Sequence, residues 1–346
     1  MATKVKKVFF SNHWESEGLD PLWSPERFTP KGEGKWKSLE ICFDIDEADI
    51  IVINDAPRVE DGPHIDGMDN TKFELWWFVR EPWMVSSILA NWNGEVEKHL
   101  SPFPNVRFFN YSMHNIPLLG TWHLSEDYDY YKNLAPQEKT KRISAVFSDK
   151  SLNIVGGAKV AKTMLAERHR EIFSKDIPSD FIMGYDLRSS LGGYLVYGPY
   201  KDIFSDIDLY GRICNVPDLV EHPLKQAKGA FLPEDKFKAF RDYDYSIVIE
   251  NSSIKNYFTE KLFDCFLERT VPLYWGCPNI LDYFPEESLI VLTTEDLSSP
   301  QRMAEIVKNL KKPNETTMKA VEEARRLILD EHNMWELLHQ INEGKR

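Results

Sequence analysis

The chain has 346 residues, 42% of them hydrophobic, so it can build the cores of two ordinary domains and is not a disordered polypeptide. A formal net charge of -13 speaks against a nucleic-acid binder, which needs a basic field, and leaves room only for local basic pockets. Four cysteines, Cys42, Cys214, Cys265 and Cys277, form no CxxC pair and have no histidine at zinc-ligand spacing, so they read as reduced thiols of a cytoplasmic protein.

Taken in order, residues 5–10 form a first strand. Residues 12–37 are polar with Pro and Gly, hence loop with room for a short helix. Strands follow at 41–43 and 50–54. The second, within EADIIVIND, is a continuous apolar run of the kind buried on both faces of a parallel sheet. Pro and Gly make 58–69 a loop, and 73–79 is a strand that delivers Arg80, Glu81, Pro82 and Trp83. Residues 85–100 have helical spacing, 106–111 are strand-like, and the polar stretch 126–141 reads as a linker. The second half begins with a strand at 143–147 and a helix at 158–173. Residues 176–206 are Gly- and Tyr-rich and take no clear assignment, and 207–210 form a strand. A helical segment at 234–240 precedes strand 246–249, helix 257–268 and strand 271–275. A last strand at 289–292 leads to helices at 300–310 and 315–341. Strands alternating with helices predict an α/β chain of two doubly wound domains. No apolar run reaches the ~20 residues of a membrane helix. The N-terminus lacks the apolar core of a signal peptide. A bacterial or viral cytoplasmic origin fits, and peripheral membrane association stays open.

Strand 246–249, a polar turn, helix 257–268 and strand 271–275 make a βαβ unit. Ligands of parallel sheets bind at the carboxyl ends of strands, beside helix N-termini. There the sequence places Glu250, Asn251, Ser252, Tyr257, Thr259, Glu260 and Lys261. A lysine beside the positive end of a helix attracts phosphate, and a glutamate can accept hydrogen bonds from ribose hydroxyls. The alternative is a capping acid followed by an exposed lysine. No GxGxxG follows a strand and no GxxxxGK[ST] occurs, so neither a nicotinamide enzyme nor a P-loop NTPase is supported. The acids Asp44, Asp46, Glu47 and Asp49 read as a solvated strand edge, His64, Asp66 and Asp69 as loop residues, and Asp206-Ile207-Asp208 as structural.

The run ENSSIKNYFTEKLFDCFLERTVPLYWGCPNI resembles the donor-binding signature of the family 10 glycosyltransferases, the α-1,3/4-fucosyltransferases. The resemblance extends more loosely to IDLYGR at 207–212, AVFSD at 145–149 and REPW at 80–83. It implies a GT-B fold of two Rossmann-like domains facing across a cleft. Residues 1–141 would be the acceptor domain, 142–315 the donor domain, and 316–346 a C-terminal helix that crosses back. It implies inverting transfer of fucose from GDP-fucose to a glycan hydroxyl, without a required metal or other cofactor. Another nucleotide sugar, or a non-catalytic glycan- or nucleotide-binding protein, are the alternatives. The resemblance places Asn251, Tyr257, Glu260 and Lys261 on the GDP-sugar, with Glu260 on ribose and Lys261 on diphosphate. Arg170, or Arg168 in its place, would join Lys261, and Glu81 would be the general base. Arg269 stands where many members of that family have Gly.

Overall fold

The apolar runs of the sequence become two parallel sheets in a computed structural model that describes residues 4–12, 24–54, 57–58, 60–79, 106–110, 124–149, 184–197, 199–213 and 233–345. The described residues up to Asn133, together with those from Asp330 onward, form unit 1, and the described residues from Leu134 to Leu329 form unit 2. The expected helices at 85–100 and 158–173 lie outside the described residues.

Unit 1 contains β1 (Lys6–Asn12), β2 (Lys35–Trp36), β3 (Leu39–Ile41), β4 (Ile50–Asn54), β5 (Glu74–Val79) and β6 (Val106–Asn110), in the order β2-β3-β1-β4-β5-β6. All neighbours are parallel except the β2–β3 hairpin. The sequence IIVIN is buried along its whole length because it lies between β1 and β5, with a layer on each face. One face carries Phe9, Ile51, Ile53, Leu75 and Trp77 against Ile65 of α1 (Asp61–Gly67). That helix replaces an expected loop. Pro63 stands in its first turn, where no N–H is needed, so the proline does not break it.

The far C-terminus covers the other face. The expected helix at 315–341 is two helices, α7 (Glu315–Asp330) and α8 (Met334–Asn342). Asn333 is extended and caps α8 by accepting from the Glu336 N–H at 2.8 Å. Trp335 of α8 meets Phe10 edge to face at 5.2 Å, and its Nε1 donates to the Pro25 carbonyl at 2.9 Å. Glu336 accepts from Trp36 Nε1 at 2.8 Å and from Lys37 Nζ at 2.6 Å. The expected linker begins with α2 (Tyr128–Asn133), whose Lys132 pairs with Asp330 at 2.8 Å. The chain then enters unit 2 through Lys139. Its buried Nζ donates to the carbonyls of Arg241 and Glu268, each at 2.6 Å, and burial pulls its pKa down to about 8.

Unit 2 holds β7 (Lys141–Asp149), β8 (Ile207–Ile213), β9 (Tyr243–Ile249), β10 (Val271–Trp275) and β11 (Ile290–Val291), in the all-parallel order β11-β10-β9-β7-β8. Residues 176–206 include α3 (Gly184–Tyr197) and a 3-10 turn at Ile203–Asp206. Helices α4 (Glu260–Leu267), α5 (Thr294–Ser298) and α6 (Pro300–Asn309) complete the unit with α7. Among the described strands each sheet has the same doubly wound plan. The first strand joins one neighbour on one side, and the later strands add on the other. In that plan the ligand crevice lies where the winding reverses, between β1 and β4 in unit 1 and between β7 and β9 in unit 2. The α/β class expected from the sequence is present in both units.

Candidate functional site

The βαβ unit of the sequence is β9, α4 and β10. At the carboxyl end of β9 the Glu250 N–H donates to the Trp275 carbonyl at 2.9 Å, carrying the ladder one residue past the strand. Glu250 is fully buried. Its carboxylate accepts from the Thr259 N–H and from Thr259 Oγ1, each at 2.8 Å. Burial pushes its pKa up, against the nearby Lys261 charge and the Thr259 hydrogen bonds. Thr259 is extended and caps α4 by accepting from the Lys261 N–H. The helix therefore starts at Glu260 rather than 257. Gly276 makes room for the acid, since a Cβ there would lie 2.5 Å from Glu250 Cγ and 2.6 Å from the Tyr274 hydroxyl.

Lys261 occupies the first turn of α4. Its Nζ lies 3.0 Å from Glu260, 3.1 Å from Thr259 Oγ1 and 3.9 Å from Glu250. Burial works against its charge, but the carboxylates of Glu260 and Glu250 outweigh that and hold its pKa above the ordinary lysine value. The Lys261 side chain is 29% exposed and that of Glu260 19%, whereas Glu250 is sealed. The solvent-facing edge of the cluster is thus an ammonium beside a carboxylate at a helix N-terminus, supported from below by a second acid. Such an edge can hold a phosphate on the ammonium and accept from a hydroxyl on the carboxylate.

Helix α3, within the stretch that takes no assignment from sequence, closes the other side. The Gly184 N–H donates to the Asn251 carbonyl at 2.9 Å, and a Cβ on Gly184 would stand 1.7 Å from the Glu250 carbonyl oxygen. One turn on, Arg188 is 3% exposed. It donates through Nε to the Ile249 carbonyl at 3.0 Å, again to that carbonyl through a second nitrogen, and to Asn251 Oδ1 at 3.0 Å. Its guanidinium also lies over the Tyr185 ring at 4.9 Å and contributes to the field at Lys261. The structure therefore brings Arg188 to the Asn251 turn. Arg170, Arg168 and Glu81 lie outside the described residues. Sequence reasoning missed Arg188, whose one local mark is its place between Leu187 and Leu191 at helical apolar spacing, which points to a helix but not to the site.

The rest of the turn is held by internal polar bonds. Ser252 and Tyr257 are buried, at 1% and 2% exposure, so they line the inside of the turn rather than its solvent edge. Asn256 takes the left-handed conformation, φ 65, which asparagine tolerates. Its Oδ1 accepts from Asn279 Nδ2 at 2.9 Å and from the Tyr283 hydroxyl at 2.7 Å. Phe258 packs among Phe263, Tyr283 and Phe284 beneath, with its ring tilted or edge-on to each. At the far end of α4 the Thr270 N–H reaches the Cys265 carbonyl and the Arg269 N–H the Phe266 carbonyl, the paired bonds of a Schellman cap. Arg269 sits at the left-handed position of that cap, φ 58, and is tied down by Glu322. That is why a glycine is the usual choice there and why this arginine is accommodated.

The remaining acids are absorbed locally. Asp208 accepts from the Tyr243 hydroxyl at 2.6 Å and Asp206 pairs with Arg142 at 3.3 Å. Asp46, Glu47 and Asp49 pair with His64, Lys7 and Lys4 at the edge of unit 1. Among the described residues no group of three histidines, cysteines or acids is placed to hold a metal ion. None of their helices is long and apolar enough to cross a membrane.

Residues 201–337 match the model of glycosyltransferase family 10 (fucosyltransferase), C-terminal part. The GDP-fucose protein O-fucosyltransferase 3 of Gallus gallus is 30% identical over 108 residues, 30% of this chain and 22% of its own length. The alpha-(1,3)-fucosyltransferase B of Drosophila melanogaster is 28% identical over 104 residues, 30% of this chain and 23% of its own. The chain thus spans under a quarter of the length of these two relatives. A crystal structure of an alpha1,3-fucosyltransferase with GDP-fucose aligns over 97% of this chain and 93% of its own at 13% identity, with a TM-score of 0.37 that is too low to establish a common arrangement. The family match contains β9, the Glu250–Lys261 turn, α4 and β10. Residues 201–337, which hold this site, are thus similar to the C-terminal part of glycosyltransferase family 10 (fucosyltransferase).

Proposed function

We propose that the protein is an inverting glycosyltransferase that moves fucose from GDP-fucose to a hydroxyl of a glycan, with an α-1,3-type linkage to a glucose or N-acetylglucosamine unit. The observation that carries this reading is the edge formed by Glu260 and Lys261 at the start of α4, inside the family match. On this reading Lys261 holds the diphosphate, and the α4 N–H groups add their partial positive charge. Glu260 accepts from the ribose. Asn251, fixed by Arg188, lies in the turn that faces the donor. Thr259 and Glu250 position the helix start rather than touch the nucleotide, since Glu250 is sealed. Arg188 adds positive potential behind Lys261.

In the transfer step the acceptor oxygen forms its bond to C1 of fucose as the bond from C1 to the phosphate oxygen breaks. The acceptor proton passes to a carboxylate, assigned here to Glu81, and the electron pair leaves on GDP. General-base help of this kind is worth about 10²–10⁴-fold. Charge gathering on the departing diphosphate is stabilised by Lys261 and the helix start. Donor and acceptor are substrates, and the scheme requires no cofactor.

A thermal-shift panel with GDP, UDP and ADP tests the donor side, because a ligand at one hundred times its Kd adds about 2.7 kcal/mol to stability. Selective stabilisation by GDP supports the reading. A UDP or ADP response moves the donor to another nucleotide sugar. Release of GDP from GDP-fucose only when lactose or N-acetyllactosamine is present separates transfer from mere binding.

A further inference from the structure

The donor turn of unit 2 holds an ion pair that helix geometry alone does not make. Side chains one residue apart on a helix do not face each other. Glu260 and Lys261 are such neighbours at the start of α4, yet Lys261 Nζ lies 3.0 Å from Glu260 Oε1. The ammonium is drawn back over the helix start by Thr259 Oγ1 at 3.1 Å and by the sealed Glu250 carboxylate at 3.9 Å. Thr259 is itself fixed, because its N–H and its hydroxyl both donate to Glu250 at 2.8 Å. The ammonium therefore spends hydrogen bonds inside the turn, on Thr259 and on Glu260. Both members of the pair remain partly exposed, so a ligand from solvent can reach them.

The formal charges around Lys261 cancel. Lys261 and Arg188 stand against Glu260 and Glu250, two cations against two acids. An inorganic anion arriving at Lys261 gains an ammonium hydrogen bond but meets the Glu260 carboxylate at the same edge, and like charges so placed repel. The N–H groups of the helix start add only a partial positive charge. A nucleoside diphosphate brings a second element. Its ribose hydroxyls are donors, and a carboxylate is an acceptor only. The ribose can satisfy Glu260 while the phosphate takes the ammonium, so the repulsion is offset within one binding event. A lysine without its carboxylate neighbour would take any phosphate compound.

We propose that Glu260 is a selectivity residue that withholds Lys261 from phosphate compounds lacking a ribose, so that the turn admits an intact nucleoside diphosphate and rejects inorganic phosphate and pyrophosphate. The proposal rests on the donor reading of this edge and adds to it a role for the Glu260–Lys261 pair before the donor arrives. The competing role for Glu260 is structural, an acid in the first turn that complements the helix dipole. In that case removing its charge weakens the helix start and leaves the ranking of ligands as it was.

Calorimetric titrations of the full chain separate the two roles. The ligands are GDP, dideoxy-GDP lacking both ribose hydroxyls, and inorganic pyrophosphate, in buffer free of divalent ions. The proteins are wild type, Glu260→Gln, Glu260→Ala and the double variant Glu260→Gln with Lys261→Met, each shown by urea unfolding to be folded. Wild type is expected to bind GDP more tightly than it binds the other two ligands. Glu260→Gln should bind pyrophosphate about fivefold more tightly than wild type does, the upper end for a partly exposed ion pair, with a smaller gain for GDP. Glu260→Ala should narrow the gap between GDP and dideoxy-GDP, since the ribose has lost its acceptor. The double variant should lose the pyrophosphate gain, because that gain passes through the freed ammonium. Pyrophosphate affinity unchanged in both single variants, with GDP bound by wild type, overturns the proposal and leaves the donor reading standing. A gain that survives in the double variant also overturns it, since Lys261 is then not the group withheld. Absence of GDP binding to wild type removes the donor reading and the proposal with it.

Discussion

Replacing Gly184 by alanine is a sharp test of how the donor turn is built. The added Cβ would fall 1.7 Å from the Glu250 carbonyl oxygen, 2.9 Å from its carbonyl carbon and 3.3 Å from the Asn251 carbonyl carbon. All three are backbone atoms, so no side chain can swing aside. Either α3 withdraws or the turn after β9 moves. Overpacking of this kind costs about 1–3 kcal/mol. Withdrawal would also break the Gly184 N–H bond to Asn251 and strain the Arg188 bonds to Ile249 and Asn251. In the helix interior alanine is favoured over glycine by about 1 kcal/mol, so a destabilised variant cannot be blamed on propensity. Urea unfolding of Gly184→Ala should therefore show a midpoint lowered by about 1–3 kcal/mol divided by the slope. GDP affinity, read by titration calorimetry, should fall with it because Asn251 is displaced. Unchanged stability together with unchanged GDP affinity would falsify the placement of α3 against the turn.

Other outcomes follow from the same geometry. Arg188→Met should destabilise unit 2 by at least about 1–3 kcal/mol, since the buried Ile249 carbonyl and Asn251 Oδ1 lose their donors. Arg188→Lys should recover part of that in urea unfolding, and equal loss in both variants would deny the bonds. Asp264 is buried beside Lys236 at 2.5 Å, and burial pushes its pKa up to about 7. The folded state then holds a proton that the unfolded state has released, so wild type loses stability as pH rises from about 4 to about 7. Asp264→Asn should flatten that slope in pH-dependent unfolding, and a parallel slope in both proteins contradicts the assignment. Glu81→Gln should leave GDP binding intact and cut turnover about 10²–10⁴-fold; turnover at the wild-type rate removes Glu81 as base.

The fold was legible where burial is complete. The runs IIVIN and VPLYW became β4 and β10 with the expected ends because a strand enclosed on both faces needs no alternation and leaves no doubt about its length. Short elements with ambiguous punctuation were not legible. Pro63 and two glycines hid α1, and Gly192 with Gly193 hid α3, although Leu187, Leu191 and Leu195 kept helical spacing. The break between α7 and α8 depends on Asn333 leaving the helix to cap the next one. At the site, the sequence displayed Glu250, Thr259, Glu260 and Lys261 as one polar cluster. It could not say that Thr259 turns its hydroxyl and N–H on Glu250, which leaves Lys261 and Glu260 at the edge. Arg188 lies 63 residues from Asn251, and no local pattern connects them. The shared winding of the two sheets is likewise a property of strand order, absent from any run of residues.

The most direct test of the central claim is calorimetric titration of GDP into wild type and Lys261→Met. The variant removes the ammonium at the start of α4 while its hydrocarbon stem can still pack. The account predicts that wild type binds GDP and that Lys261→Met binds it roughly 10- to 150-fold more weakly, as for loss of a charged hydrogen bond of about 1.5–3 kcal/mol. Equal affinity in the two proteins, with both folded, would contradict it.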